Sequence, residues 1–191
     1  RLSVITVVFT FLIPLTGKSQ AGNYEYGFIV KNNNDTVHGL LKNRNLNPYF
    51  YSYTEIKFKT DEKANVEIFT PDSVKAYTVG DSRFVTKYLS KKKRNFFYEI
   101  IVEGYVTFYE LKLRNFQNDV FFAILKKQNE ENELSFEEIN VLYPFKKRMM
   151  EFFKDAPALC NKIRNGIYNQ STIKKIVTEY NSLYNASFLE K

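Results

Sequence analysis

The sequence predicts an α+β domain: an antiparallel β-meander that curls into a small barrel or open sandwich, followed by a C-terminal helical cap of about three helices. Three observations support this fold class. Short runs of β-type residues recur between residues 24 and 127, with turn residues between them. A polar, acidic stretch follows these runs. Beyond it, the spacing of the apolar residues changes from about two to about 3.6, the repeat of an α-helix.

Eight runs in the first block are predicted as strands. They are YEYGFIVK, TVHGLLK, TEIKFKT, NVEIFT, SRFVTKYL, NFFYEIIV, YVTFYELKL and DVFFAILKK. The turn NNND joins the first two runs, because Asn tolerates the positive φ that a tight hairpin loop demands. With Asn33 and Asn34 as a two-residue loop, Val30 faces Val37 across the hairpin.

A second hairpin is predicted around Glu103 and Gly104, where Gly104 supplies the unusual backbone conformation of the turn. Pairing about this turn brings Glu99 and Glu110 close together on one face. Because that face carries two glutamates, we expect it to be half covered at most. The other face is apolar and consists of Phe96, Tyr98, Ile100, Val102, Tyr105, Tyr109 and Leu111.

The remaining chain divides into a linker and a helical region. We predict a β-rich domain at 20–127, an acidic linker at 128–142 that contains QNEENELSFEE, and a helical region at 143–191 packed on the β-rich domain. One apolar helical face near the start of this region comprises Phe145, Met149, Phe152 and Phe153.

Two further helices have recognisable ends. In DAPALCNKIRNG, Asp155 is predicted to cap the helix, Pro157 suits its first turn, and Asn165-Gly166 ends it. Ser171 or Thr172 is predicted to cap the last helix. Its apolar stripe comprises Ile173, Ile176, Val177, Tyr180, Leu183 and Tyr184. Such a stripe must be buried, either on the β-rich domain or in the groove of a partner protein.

Residues 1–19 are predicted as a signal peptide. The apolar stretch from Val4 to Leu15 is too short for a transmembrane helix, which needs about 20 apolar residues. Arg1 precedes it, and Gly17 and Ser19 are the small residues that a leader peptidase requires. We therefore expect cleavage after Ser19. An uncleaved anchor and a buried strand are the alternatives.

Composition limits the possible functions. The formal net charge of +7 falls when a leader carrying two of the basic residues is removed, so we expect no nucleic-acid partner. The chain has a single Cys, so it cannot form an intramolecular disulfide even in an oxidising compartment. Its 18 Phe and 14 Tyr can supply a large apolar core.

Catalytic and metal-binding constellations are not recognisable in the sequence. His38 is the single histidine, and a solvated or packed strand His is the more ordinary interpretation than a catalytic base. With Cys160 it makes too poor a ligand set for zinc, and Cys160 itself is expected to be a small buried apolar group. The seven glycines form no cluster that could cradle a phosphate, so we expect no cofactor.

Carboxylates offer one catalytic alternative. Glycosidases need only two acids at a suitable separation, and Glu99 and Glu110 are the candidates. The simpler interpretation is that they mark the solvent side of an amphipathic hairpin.

The basic run Lys91, Lys92, Lys93 and Arg94 is the candidate binding site. It falls between two predicted strands, where four like charges can stay hydrated. Lipopolysaccharide phosphates, anionic lipids or an acidic partner could contact it. A loop that serves only solubility is the alternative.

Four stretches of the chain carry a resemblance. They are EYGFIVKNNNDTVHGLL, IKFKT with VEIFTPDSVKAYTVGDSRFVTKYL, FYEIIVEGYVTFYEL, and LCNKIRNGIYN with IKKIVTEYN. Together they resemble a widespread group of uncharacterised exported proteins from Bacteroidetes-type bacteria, over nearly all of the chain after the leader. The resemblance implies a diderm cell envelope, and it implies no activity, cofactor or site residue.

The sequence thus predicts an exported cell-envelope protein of the periplasm or the periphery of the outer membrane, with no transmembrane span after cleavage. We expect a non-enzymatic binding or structural module whose partner is an envelope protein or an anionic envelope component. A carboxylate-dependent hydrolase of an envelope glycan and a peripheral membrane or lipopolysaccharide-binding protein are the alternatives.

Overall fold

The structure, a computed structural model, describes residues 24–42, 53–114, 119–128, 130, 131, 133–137 and 145–189. These residues form a 10-stranded antiparallel open sheet followed by three α-helices, which confirms the predicted α+β fold. The strands are β1 (Tyr24–Lys31), β2 (Thr36–Lys42), β3 (Ile56–Lys59), β4 (Glu67–Phe69), β5 (Val74–Val79), β6 (Ser82–Leu89), β7 (Arg94–Val102), β8 (Val106–Arg114), β9 (Asp119–Lys127) and β10 (Glu133–Glu137). The helices are α1 (Phe145–Phe152), α2 (Pro157–Arg164) and α3 (Ile173–Leu189).

The sheet is not a simple meander. Its strand order is β10-β9-β8-β7-β6-β5-β1-β2-β3-β4, so β5 pairs with β1 and not with the preceding strand β4. Only residues 70–73 connect β4 to β5, although three strands lie between them in the sheet. Such a short connection reaches only if the sheet curls and returns the β4 edge towards β5.

The curl encloses its own apolar core. Phe69, at the end of β4, packs against the same cluster that contains Val74 at the start of β5. The buried members of this cluster are Ile29, Leu41, Ile56, Phe58, Val74, Tyr77, Val79, Phe84 and Phe97. The predicted curling is therefore confirmed for β1–β6, which we call the curled half.

Two glycines allow this curl. Gly27 and Gly39 face each other across β1 and β2. A Cβ atom on Gly27 would overlap the carbonyl oxygen of Thr78, and one on Gly39 would overlap that of Lys59. Backbones of neighbouring strands therefore approach these positions more closely than any side chain permits.

The first hairpin has a different register from the predicted one. The amide of Lys31 donates to the carbonyl of Asp35 at 2.8 Å, and Asn34 adopts a left-handed φ of 73°. The loop therefore has three residues, 32 to 34, not two. As a result Val30 faces Thr36, and every pair in the hairpin shifts by one residue.

The helices supply the core of the other half of the sheet. We call β7–β10 together with α1–α3 the capped half. Its cluster joins strand residues such as Val106 and Phe108 to helix residues of all three helices. The buried helical members are Met149, Leu159, Cys160, Ile163, Ile173, Ile176, Val177 and Tyr180, and Phe153 directly follows α1. Four residues of the predicted α3 stripe, Ile173, Ile176, Val177 and Tyr180, are thus buried on the sheet. Leu183, also predicted to be in the stripe, is 49% exposed, and Tyr184 is partly exposed.

Asn181 fixes α3 to the turn between β7 and β8. Its Oδ1 accepts a hydrogen bond from the amide of Val106 at 2.8 Å, and its Nδ2 donates to the carbonyl of Val106 at 2.9 Å. The side chain is 7% exposed, so these bonds are shielded from water. A Cβ on Gly104 would lie 2.5 Å from Asn181 Nδ2, so only glycine leaves room for the contact.

The second hairpin differs from the prediction at its turn. A register shift between Ile100 and Val102 makes Val102 pair with Phe108. Val102 and Tyr105 consequently pack on the helix side, where Tyr105 stacks on Tyr184 with ring centroids 3.5 Å apart. The predicted apolar face is otherwise confirmed, because Phe96, Tyr98, Tyr109 and Leu111 share one cluster. The glutamate face was expected to be half covered at most, but the helices bury Val106 and Phe108 at its turn end.

The acidic segment 128–142 was predicted as a linker, but it contains a strand. Residues 133–137 form β10, in which Leu134 and Phe136 pack on the capped core while Glu133 is exposed. Together with β5, this strand raises the number from the eight predicted to ten. The predicted signal peptide, 1–19, lies outside the described residues.

The helix ends differ from the predictions in their capping residues. Ala156, with no side-chain cap, precedes α2, and Pro157 occupies its first turn as expected. Asp155 does not cap; it accepts a hydrogen bond from the Tyr180 hydroxyl and pairs with Lys127 at 3.5 Å. Burial is the main cause that raises the pKa of Tyr180 above its ordinary value, and the hydrogen bond to the negatively charged Asp155 raises it further. Lys127 is 6% exposed, so a charged partner is needed there.

A 3-10 turn at Gln170–Thr172 precedes α3 and carries the cap. Asn169, one turn before the predicted capping residues, forms a capping box with Thr172. Among the described helices, none is both long and apolar enough to cross a membrane.

Candidate functional site

A large cleft lies where α3 begins over β7, β8 and β9. Its volume is about 690 Å³, within the range of small-molecule sites. Residues of β7, β8 and β9 form its floor, and the 3-10 turn with the first residues of α3 forms one wall. The lining residues are Ile101, Phe108, Glu110, Lys112, Phe121, Phe122, Ala123, Gln170, Ser171, Ile173 and Lys174.

The floor of the cleft is mainly apolar. Phe108 and Ala123 are buried, while Phe121 is partly exposed. Phe108 and Glu110 lie two residues apart in β8, as Phe121 and Ala123 do in β9, so each pair points to the same side of the sheet. The strand period thus places an aromatic surface directly beside a charged pair.

The charged pair consists of Glu110 and Lys112, whose Oε1 and Nζ atoms are 2.6 Å apart. Partial burial lowers the pKa of the Lys112 ammonium, but the hydrogen bond to Glu110 and the negative charges of Glu110 and Glu99 outweigh that effect. The pKa of Lys112 therefore lies above its ordinary value, and the lysine stays charged.

Glu99 and Glu110 occupy directly opposed positions on β7 and β8, which confirms that the second hairpin brings them together. Like charges so placed repel, and Lys112 moderates the repulsion. Glu99 has a further partner, since the Ser82 hydroxyl donates to its Oε1 at 3.3 Å. Of the two carboxylates, Glu110 lines the cleft and Glu99 does not.

Lys174 stands at the wall of the cleft with an exposed side chain. Among the residues the structure describes, no carboxylate pairs with it. Gln170 and Ser171 lie beside it on the same wall, and the Ser171 hydroxyl donates to Asn169 Oδ1 at 2.7 Å. The wall therefore combines one unpaired cation with uncharged polar groups.

The predicted basic site lies elsewhere. Lys91, Lys92, Lys93 and Arg94 form the exposed turn between β6 and β7, and none of them lines the cleft. Lys93 adopts a left-handed φ of 52°, and the Arg94 guanidinium lies 4.6 Å from the Phe96 ring centroid. A binding role for this turn stays a prediction.

His38 and Cys160 occupy the kinds of position that the sequence favoured. His38 is exposed on β2, with its ring centroid 5.6 Å from that of Phe28, beside a shallow depression of about 380 Å³. Cys160 is buried, and its Sγ donates to the carbonyl of Phe153 at 3.1 Å. In the described part of the chain, no three His, Cys, Asp or Glu side chains are grouped as metal ligands would be.

Lys112, Lys174 and Phe121, which line the cleft, were not predicted as site residues. The two-residue spacing that aligns Lys112 with Glu110 was readable in β8. The position of Lys174 was not, because it depends on where α3 crosses the sheet.

Comparisons with protein-family models, with curated proteins and with solved structures return no match for this chain. The arrangement of the cleft is therefore the basis for a functional proposal.

Proposed function

We propose that this protein is an exported, non-enzymatic binding module of the cell envelope, and that its ligand occupies the cleft beside α3. One observation carries the proposal: a cleft of about 690 Å³ combines an aromatic floor with a few polar groups at one wall. Small-molecule sites have this composition, because apolar contacts supply affinity while a few polar groups fix orientation. The envelope location rests on the predicted leader.

Binding is favoured over catalysis by the state of Glu110. Lys112 already occupies Oε1 of this carboxylate at 2.6 Å. A general acid or base must exchange a proton with the substrate, and this ion pair leaves Glu110 only its second carboxylate oxygen for such a contact. An ion-paired carboxylate is better suited to holding a fixed surface than to transferring protons.

In-cell photo-cross-linking tests the proposal in the native host. A photoreactive phenylalanine at Phe121 reports on the cleft, and the same group at Tyr88 is the matched control, since Tyr88 is 59% exposed and lies outside the lining. We expect an adduct with one envelope component, identified by mass spectrometry, from the Phe121 position alone. Equal adducts from both positions would contradict a cleft ligand.

A second function is supported by the opposed positions of Glu99 and Glu110 beside the cleft. A hydrolase of an envelope glycan would use them as its two carboxylates. Incubation of the purified protein with peptidoglycan and other envelope glycans, followed by detection of new reducing ends, tests this function. Turnover that Glu99→Gln and Glu110→Gln abolish, while Glu103→Gln retains it, would replace the binding proposal.

A further inference from the structure

We propose that the ligand of this cleft is an amphiphilic anion, with an apolar chain or ring on the floor and a carboxylate or phosphate at Lys174. The inference deepens the proposed binding function and rests on it. It follows from the charges of the lining, from the first turn of α3, and from the apolar floor.

The lining carries more positive than negative charge. Its charged side chains are Glu110, Lys112 and Lys174. Glu110 and Lys112 neutralise each other at 2.6 Å, and Glu99 adds further negative charge near Lys112. Lys174 has no carboxylate partner among the described residues, so it is the cation free to meet a ligand.

The first turn of α3 strengthens this positive potential. Lys174 and Lys175 both lie there, and the turn contains no acidic residue. The N-terminal end of a helix dipole is positive and disfavours cations. The pair of lysines is therefore placed against the local field, and an anion bound at Lys174 would relieve that repulsion.

The floor determines the rest of the ligand. Phe108, Phe121 and Ala123 offer apolar surface directly next to the Glu110–Lys112 pair. A small hydrophilic anion would leave this surface wet, whereas an apolar chain or ring would cover it. The amide of Gln170, beside Lys174, can donate a further hydrogen bond to a head group. One unpaired cation suits one anionic head group better than a polyanion.

Titration calorimetry with detergent monomers tests the proposal. Dodecyl phosphate, laurate and dodecyl maltoside share one apolar chain and differ in the head group, and all are used below their critical micelle concentrations. Inorganic phosphate supplies the head group without the chain. We expect both anionic amphiphiles to bind at least about tenfold more tightly than dodecyl maltoside and than inorganic phosphate.

Two neighbouring lysines provide a matched pair of variants. Lys174→Gln and Lys175→Gln each remove one exposed charge from the same turn, but only Lys174 lines the cleft. We expect Lys174→Gln to weaken dodecyl phosphate about fivefold and Lys175→Gln to weaken it less than about twofold. Because both lysines are exposed, neither variant should unfold the protein.

Several results would overturn the inference. If dodecyl maltoside binds as tightly as dodecyl phosphate, the cleft does not recognise an anionic head group. If inorganic phosphate binds as tightly as dodecyl phosphate, the apolar chain contributes nothing to binding. Equal losses in the two lysine variants would indicate a general charge effect. If no amphiphile binds while Phe121 still forms its specific adduct in cells, the ligand class is wrong and the binding function stands. If dodecyl phosphate binds as expected but no adduct forms in cells, the cleft binds amphiphilic anions, and the proposal that it holds an envelope component is wrong.

Discussion

The curled half and the capped half of the sheet bury their apolar faces in different ways. In the curled half the sheet bends over itself, and Gly27 and Gly39 let neighbouring backbones come close. In the capped half three helices lie on a more open surface and fill it with side chains. One continuous sheet therefore buries its apolar residues in two ways: by bending over itself in one half and by a layer of helices in the other.

This difference separates the roles of the two halves. The curled half needs small residues at fixed positions, because any Cβ at Gly27 or Gly39 meets backbone atoms. The capped half needs large side chains that interdigitate, and the edge of its helical layer leaves the cleft open. A site thus forms where the added layer stops covering the sheet.

The strongest test of the comparison removes the helical packing. Phe153 is fully buried among the helices, so Phe153→Ala should lower the free energy of unfolding by about 3 to 5 kcal/mol. Urea denaturation measures the loss. Hydrogen exchange should rise in α1–α3 more than in β1–β5, because Phe153 belongs to the helical cluster and not to the cluster of the curled half.

Lys154→Ala is the control for this change, since Lys154 is exposed and should shift stability by less than about 0.5 kcal/mol. Uniform loss of protection across both halves after Phe153→Ala would show that they unfold as one unit, and the comparison would fail.

A second change addresses the curl. Gly39→Ala places a methyl group against the carbonyl of Lys59 and the ring of Phe58, so we expect a loss of about 2 to 3 kcal/mol. The exposed Thr36→Ala, in the same strand, should be nearly neutral. Thermal unfolding compares the two variants. An equally neutral Gly39→Ala would mean that the curl does not depend on close backbone approach.

A third change concerns the attachment of α3. Asn181→Ala leaves the buried amide and carbonyl of Val106 without their side-chain partner, at a cost of about 2 kcal/mol. Ser182→Ala, at the exposed neighbouring position, should cost less than about 0.5 kcal/mol. If the loss comes from the missing hydrogen bonds, NMR should show faster hydrogen exchange of the Val106 amide in Asn181→Ala. An unchanged exchange rate would show that the Asn181 side chain does not protect the Val106 amide.

The smallest expected effect is a pH dependence within the cap. Partial burial raises the pKa of Glu179, but hydrogen bonds from Tyr168 and Lys162 outweigh it, so the pKa lies below the ordinary 4.5. A carboxylate with a lowered folded-state pKa stabilises the fold above its unfolded pKa, and the contribution is lost as the pH falls through the folded value. Below about pH 4.5, stability should therefore fall less steeply in Glu179→Gln than in the unaltered protein. Denaturation at several pH values measures both slopes; parallel slopes would exclude Glu179 as the source.

Local features of the fold were predictable from the sequence. The stripe of α3 and the end of α2 at Gly166 follow from spacing and from a positive φ of 78° that glycine adopts easily. The pairing of Glu99 with Glu110 was also predictable, because a hairpin joins strands that are adjacent in the chain.

Features that depend on distant parts of the chain were not predictable. The β1–β5 pairing joins Ile29 to Tyr77, and no turn signal links them. The strand β10 was missed because acidic neighbours obscured the alternation of Leu134 and Phe136. The cleft was missed for a related reason: Lys174 reaches it only through the position of α3 on the sheet.

The single cysteine gives the capped half a chemical reporter. Cys160 is buried in α2, and burial raises the pKa of its thiol, so thiolate at neutral pH is scarce. A thiol reagent in solution therefore reacts quickly only when α2 separates from the neighbouring helices. The labelling rate, compared with that of an unfolded chain, converts directly into the free energy of that opening. Any ligand that stabilises the packing of the helices should slow the reaction, so the labelling rate also reports on ligand binding in the cleft.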